Sequence, residues 1–194
     1  MRFPHEDDLR AERFRLIETL DGLSDDDFDH GPTLCAGWAP RDVLGHVIGL
    51  DYPAASYLPY GTRIHAAHHA QTQRARAVPR ERLMRWAGHW AANPSGTSRM
   101  LAFLVFPDLA VHHQDVLRGL GLTREIPDVV ANAILREGAQ LSLVTNRRIL
   151  THRVVPADGG RPLGRGPQVH GTREALGLWL AGRDAVTGEL EFRS

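Results

Sequence analysis

The sequence predicts a mainly helical fold, a bundle of about four main helices followed by a small mixed α/β tail. Three observations predict it. Apolar residues recur at helical spacing through most of positions 1–146. The main Gly, Pro and Asn clusters fall between those stretches, where turns belong. After Asn146 the pattern changes to short β-branched runs set among Gly, Pro and Arg. The expected organisation is a helical bundle over 1–146 that carries any site, with an α/β extension over 147–194 packed on it.

The elements follow in order. His5 to Leu20 reads as an amphipathic helix through Leu9, Phe14, Ile17 and Leu20. Asp21 to Pro32 is a polar turn region. Pro40 suits the first position of a second helix, where its missing N–H costs nothing, and Val43, Leu44, Val47, Ile48 and Leu50 make that helix strongly apolar. A short helix is expected near His65 to Arg74, within the less regular stretch Pro53 to Pro79. Glu81 to Ala92 is helical through Leu83, Trp86 and Trp90, which read as core, with Trp90 able to line a pocket; Asn93-Pro94-Ser95-Gly96 ends it. A long helix from about Arg99 to Leu120 contains Pro107, which is expected to kink or restart it. Pro127 to Asn146 is a further helix, Ile149 to Val155 a strand, Thr172 to Ala181 a short apolar helix and Leu190 to Phe192 a last strand.

Composition removes several function classes. The chain has 194 residues, enough to bury a core without a disulfide. Its formal net charge is zero, so no field of one sign points to nucleic acid or a membrane surface. No apolar run approaches the ~20 residues of a membrane span, and Met1 to Arg10 lacks the apolar core of a signal peptide, so the cytoplasm is expected. All 23 basic residues are Arg; without Lys there is no Schiff-base or Walker-type chemistry. Cys35 is the only cysteine, which rules out an internal disulfide and a Cys-rich zinc site. It reads as a small filler, since no base is adjacent to it in the sequence.

Two patterns carry chemistry. Asp108 and His112 are four apart on the long helix, one turn above each other on one face, where a carboxylate and an imidazole can bind one ion. His113 points about 100° away from His112. His46 sits inside the apolar second helix, where an imidazole needs a hydrogen-bond partner or a metal. Asp42, four residues before it, and Asp115, three after His112, are placed to orient ligand imidazoles. Asp42 serves equally well to complement its helix N-terminus. Gly45 would let another helix approach closely. Taken alone, Asp108 and His112 suit a surface pair, and His46 a core histidine, more readily than a metal site. His65, His68 and His69 form a cluster whose polar surroundings suggest a solvated face, with a second metal site as the lesser reading.

Together these segments resemble a known family. TLCAGWAPRDVLGHV (Thr33 to Val47) is similar to the entry into the second helix of the DinB/YfiT-like superfamily, in particular its mycothiol-dependent maleylpyruvate isomerase branch. FPDLAVHHQDVLRGLG (Phe106 to Gly121) resembles that branch's Glu-x-x-x-His-His-x-Asp helix, and VHGTREALGLWLAGRD (Val169 to Asp184) its C-terminal segment. The resemblance implies a DinB-like four-helix bundle with one divalent ion between helices, its ligands matching His46, Asp108 and His112. Zinc is the expected ion, with nickel or manganese also compatible, and mycothiol the expected co-substrate. Two departures stand out. Asp108 replaces the usual Glu and is shorter by roughly 1–1.5 Å. Fewer than fifty residues follow Asn146, where the family is expected to carry a larger C-terminal domain.

The implied function is a metal- and thiol-dependent enzyme acting on a small electrophile, as a cis–trans isomerase or an S-transferase. The alternatives are a thiol-independent metal-dependent biosynthetic enzyme and a non-catalytic metal-binding protein; fold alone does not choose among them. The oligomeric state is not readable from the sequence; a homodimer is one option, with the apolar C-terminal helix as its candidate face.

Overall fold

The structure, a computed structural model, describes residues 2–52, 59 and 64–193, except the side chains of Ile64 and His65. It is mainly helical with one small sheet and divides into two compact units, Met1–Thr123 and Arg124–Ser194.

The first unit holds α1 (Glu6–Asp21), α2 (Asp25–His30), α3 (Pro40–Gly49), α4 (Ile64–Arg76), α5 (Arg80–Ala92), α6 (Gly96–Met100) and α7 (Ala102–Gly119). Helix α1 contacts α5 and α7, and α3 contacts the same two, so α1, α5, α3 and α7 close a four-helix ring; α4 packs along α3. Helix α3 is buried over nearly its whole circumference, as an apolar helix at the centre of a bundle must be. Pro40 opens it, and the Asp42 carboxylate accepts the Ala39 N–H at 3.0 Å.

The buried stripe of α1 differs from the expected one. Leu9, Leu16 and Leu20 are buried together with Glu12 and Arg13, whereas Phe14 is exposed. Charged groups tolerate that position because each is paired. Glu12 Oε1 meets His113 Nδ1 at 2.7 Å. Arg13 is held by Asp51 at 2.9 Å, by the Trp90 carbonyl at 3.0 Å and by Ser98 Oγ at 2.6 Å, and it stacks on the Trp90 ring. Trp90 is core as expected and Trp86 is not: it is exposed beside Trp90 on a cavity of about 420 Å³.

The long helix is interrupted at Leu101 rather than at Pro107. Ser95 accepts the Ser98 N–H and starts the short α6, and α7 then runs unbroken through Pro107. Proline removes one i→i−4 bond, and the packed α7 keeps its helical path around that loss.

The second unit holds α8 (Asp128–Val144), α9 (Arg148–Thr151), β1 (Arg153–Pro156), β2 (Leu163–Gly164), β3 (Gln168–Gly171), α10 (Arg173–Leu180), a 3₁₀ turn (Asp184–Glu189) and β4 (Glu191–Arg193). The sheet order is β2-β1-β3-β4, with β1 and β3 parallel and Val154 opposite Val169, both fully buried. The expected strand from Ile149 is thus shorter, because Arg148–Thr151 is a helical turn. The division between units falls at Thr123/Arg124, where the sequence places it after Asn146; α8 packs against α10 and so groups with the tail. The two helices meet at glycines: a Cβ on Gly138 would lie 2.0 Å from the Gly177 carbonyl oxygen. Residues 175–180 of α10 are buried, so this helix does not offer the candidate apolar face for a homodimer.

Candidate metal centre

Helices α3 and α7 of the first unit bring His46, Asp108 and His112 together. One donor atom from each lies within 4.8 Å of the other two. Asp108 Oδ2 is 3.7 Å from His46 Nε2, and Asp108 Oδ1 is 3.7 Å from His112 Nε2. Both histidines are buried.

The far nitrogen of each ring is held. His46 Nδ1 donates to Gln71 Oε1 on α4 at 3.1 Å, and His112 Nδ1 donates to Asp115 Oδ2 at 3.0 Å. A carbonyl or carboxylate oxygen can only accept, so both Nδ1 atoms carry protons and both Nε2 atoms turn toward Asp108. This is the arrangement in which a ligand imidazole is oriented by an outer partner. Asp115 takes the role its spacing suggested. Asp42 does not: it caps α3 and pairs with Arg76 at 2.6 Å and 2.7 Å. Gln71 replaces it because Gly45 lets α4 come close; a Cβ there would sit 2.5 Å from Ala75 Cβ.

Trp38 lies over both rings, stacked on His112 with centroids 5.8 Å apart and tilted on His46 at 5.2 Å. His68 stands edge-on to His46 at 4.5 Å, half-buried, so it belongs to the site rather than to a solvated face; His69 is exposed as expected. The His65 side chain lies outside the described residues. Cys35 is not merely filler. Its thiol donates to Asp115 Oδ2 at 3.0 Å and lies 3.6 Å from His112 Nδ1, a proximity invisible in sequence across 80 residues. Cys35 and Trp38 also wall a cavity of about 660 Å³, with Arg41 and Arg76 among its lining residues.

The electrostatics of the three groups are coupled. Burial would raise Asp108, but the His112 charge first, and then His46 beside it, bring it down to about 2. Burial would lower His112, but Asp108 and then Asp115 hold it well above its ordinary 6.5. In the metal-free chain a proton on His112 Nε2 therefore faces Asp108. Among the described residues, Asp108 Oδ2 is buried with no hydrogen-bond partner.

These residues fit a divalent cation. Metal–ligand bonds of about 2.0–2.2 Å at tetrahedral angles separate donors by roughly 3.3–3.5 Å. The two 3.7 Å separations run to the two different Asp108 oxygens, and one donor atom from each residue lies within 4.8 Å of the others, so side-chain movements on the order of 1 Å would bring the three onto one ion. Asp108 lies 3.7 Å from each Nε2 without the extra methylene of Glu.

The chain is thus a helical-bundle protein with a two-histidine, one-carboxylate cluster in the bundle. No protein-family model matches it, and no curated protein matches it by sequence. Solved structures do match its fold. A crystal structure of the mycothiol-dependent maleylpyruvate isomerase, in a histidine-to-alanine mutant form, superposes with a TM-score of 0.70 at 11% identity, covering 97% of this chain and 91% of that one. A second crystal structure of a mycothiol-dependent maleylpyruvate isomerase gives 0.67 at 12% identity, covering 92% and 88%. The chain therefore has the helical maleylpyruvate isomerase fold. The expected C-terminal shortfall is not seen, since the match spans most of both neighbours.

Proposed function

We propose that the chain is a divergent member of the mycothiol-dependent maleylpyruvate isomerase family: a divalent-metal enzyme that uses a low-molecular-weight thiol, mycothiol first among them, on a small electrophilic substrate. The observation that carries this reading is the convergence of His46 Nε2, Asp108 and His112 Nε2 with both far nitrogens already held. His46, Asp108 and His112 would hold the ion, with zinc the first candidate and nickel or manganese next. When bound, such an ion supplies a Lewis acid that lowers the pKa of a thiol at an open position. Gln71 and Asp115 keep the imidazoles in the ligating tautomer, and Trp38 shields them from water. A thiolate that adds to a cis double bond, and leaves after rotation, returns the trans isomer. One that displaces a leaving group and stays yields an S-conjugate.

The test uses the full chain, first for metal content by elemental analysis. The protein is then reconstituted with zinc, nickel or manganese and assayed with mycothiol against maleylpyruvate and activated aryl halides. Turnover that needs both metal and thiol, and is lost in His46→Ala and His112→Ala, is the expected result. Turnover without thiol would replace this reading with a thiol-independent metal enzyme. Tight metal binding without any turnover would replace it with a metal-binding protein.

A further inference from the structure

We infer that the Cys35 thiol is a positioning group for His112: with Asp115 it forms one unit that sets the tautomer and angle of that imidazole. This rests on the reading of His46, Asp108 and His112 as a metal site. Asp115 Oδ2 accepts two hydrogen bonds, from the Cys35 S–H and from His112 Nδ1–H, each at 3.0 Å. The Asp115 side chain is fully buried. Two donors converging on one oxygen leave that carboxylate little freedom to rotate, and the ring it holds is fixed with it.

The backbone builds this contact deliberately. The Thr33 hydroxyl accepts the Cys35 N–H at 3.1 Å and donates to the Trp38 carbonyl at 2.9 Å, closing the turn. Gly37 takes a φ of 76°, which favours glycine. The Leu34 N–H donates to the Asp115 carbonyl at 3.0 Å, tying the turn to α7. The turn can lie that close because Gly119 has no side chain; a Cβ there would be 2.4 Å from the Pro32 carbonyl oxygen and from Thr33 Cα. One turn thus delivers Cys35 to the Nδ1 edge of His112 and Trp38 to its face.

Cys35, His112 and Asp115 also cluster within 4.8 Å, at the Nδ1 edge of the ring, and that places the cysteine away from an ion held at Nε2 by His46 and Asp108. Sγ lies 3.6 Å from Nδ1, while Nε2 is the atom that faces Asp108. The two nitrogens of an imidazole point in divergent directions, so a sulfur at one edge cannot share an ion held at the other. A thiol that meets the ion has to come from outside the chain.

Cobalt(II) tests this, since it reports both affinity and ligand type. Wild type, Cys35→Ala, Cys35→Ser and Cys35→Val are loaded with cobalt and titrated against a chromophoric chelator, with circular dichroism to confirm folding. Cys35→Ala and Cys35→Val should bind about 3- to 10-fold more weakly, the range one hydrogen bond from a weak S–H donor carries, with shifted d–d bands. Cys35→Ser, which keeps a donor, should recover wild-type affinity and bands. Wild type should show no thiolate-to-cobalt charge-transfer band until 2-mercaptoethanol is added. Such a band without added thiol would make Cys35 a ligand and overturn the inference. Cys35→Ala and Cys35→Val equal to wild type would reduce Cys35 to a spacer. If either of those outcomes arises while His46→Ala abolishes cobalt uptake, only the positioning role fails. If wild type takes up no cobalt, or His46→Ala leaves uptake unchanged, the metal site and this inference fail together.

Discussion

Replacing Gly45 with Ala should weaken the metal site from one helix away. The new Cβ would lie 2.5 Å from Ala75 Cβ and 3.2 Å from the Gln71 carbonyl oxygen. Carbon atoms in contact sit about 3.5–4.0 Å apart, so α3 and α4 must separate locally by about 1 Å. Gln71 lies one turn from Ala75, and its 3.1 Å bond to His46 Nδ1 would open beyond hydrogen-bond range. Overpacking costs about 1–3 kcal/mol, and the better helix propensity of Ala returns up to about 1 kcal/mol. A net loss of about 1–2 kcal/mol lowers Tm by roughly 2–8 °C in a chain of this size. Freeing the His46 ring should cost about 10- to 100-fold in zinc affinity. Urea melts and chelator competition measure the two effects. Gly88→Ala on α5 is the control: nothing lies within 4 Å of its Cβ, and it should gain about 0.4–1 kcal/mol. A Gly45→Ala protein with unchanged stability and unchanged zinc affinity would refute the close-approach reasoning.

Other outcomes follow from the same geometry. Zinc affinity should rise with pH through the neutral range, because against the opposing effect of burial Asp108 and Asp115 keep His112 protonated well above 6.5. Proton release on zinc addition, read with an indicator in weak buffer, checks this; pH-independent affinity would contradict it. In the metal-free chain the His112 contribution to stability is fully present below pH 6.5 and is lost as pH rises through its higher folded value. The Asp108 contribution is present above 3.8 and is lost as pH falls toward about 2, so urea melts across pH should show both limbs. Cobalt or nickel should quench tryptophan fluorescence chiefly through Trp38, which lies on both imidazoles, and Trp38→Phe should lose most of that quench. Gly138→Ala should cost about 3 kcal/mol, the upper end of overpacking, and lower the melting temperature of the second unit, since its Cβ would meet backbone at 2.0 Å.

The helices of the first unit were largely legible, because helical spacing is a local signal and Pro40 and Asn93-Pro94 punctuate it. Asp108 and His112 were legible for the same reason: four residues on one helix share a face wherever that helix goes. Charge burial was not. Glu12 and Arg13 look like surface residues until His113, Asp51 and Trp90 arrive from other helices to pair with them. The course of α7 through Pro107 and its break at Leu101 also escaped, because packing around the helix rather than the proline sets where it ends.

By itself the sequence determined which side chains ride on which helix and which of them share a face. Together with the family resemblance of Thr33–Val47 and Phe106–Gly121, it singled out His46, Asp108 and His112 as the residues to test for an ion. Only the tertiary structure decided which groups hold those side chains still. Asp42 was the partner that spacing offered His46, yet Gln71 of α4 holds it because Gly45 lets α4 approach. Cys35 reaches Asp115 only because Gly119 lets the Thr33–Trp38 turn lie on α7. Spacing along one helix is set by bonds within a few residues. Contact between helices is set by the volumes of side chains that meet from distant parts of the chain.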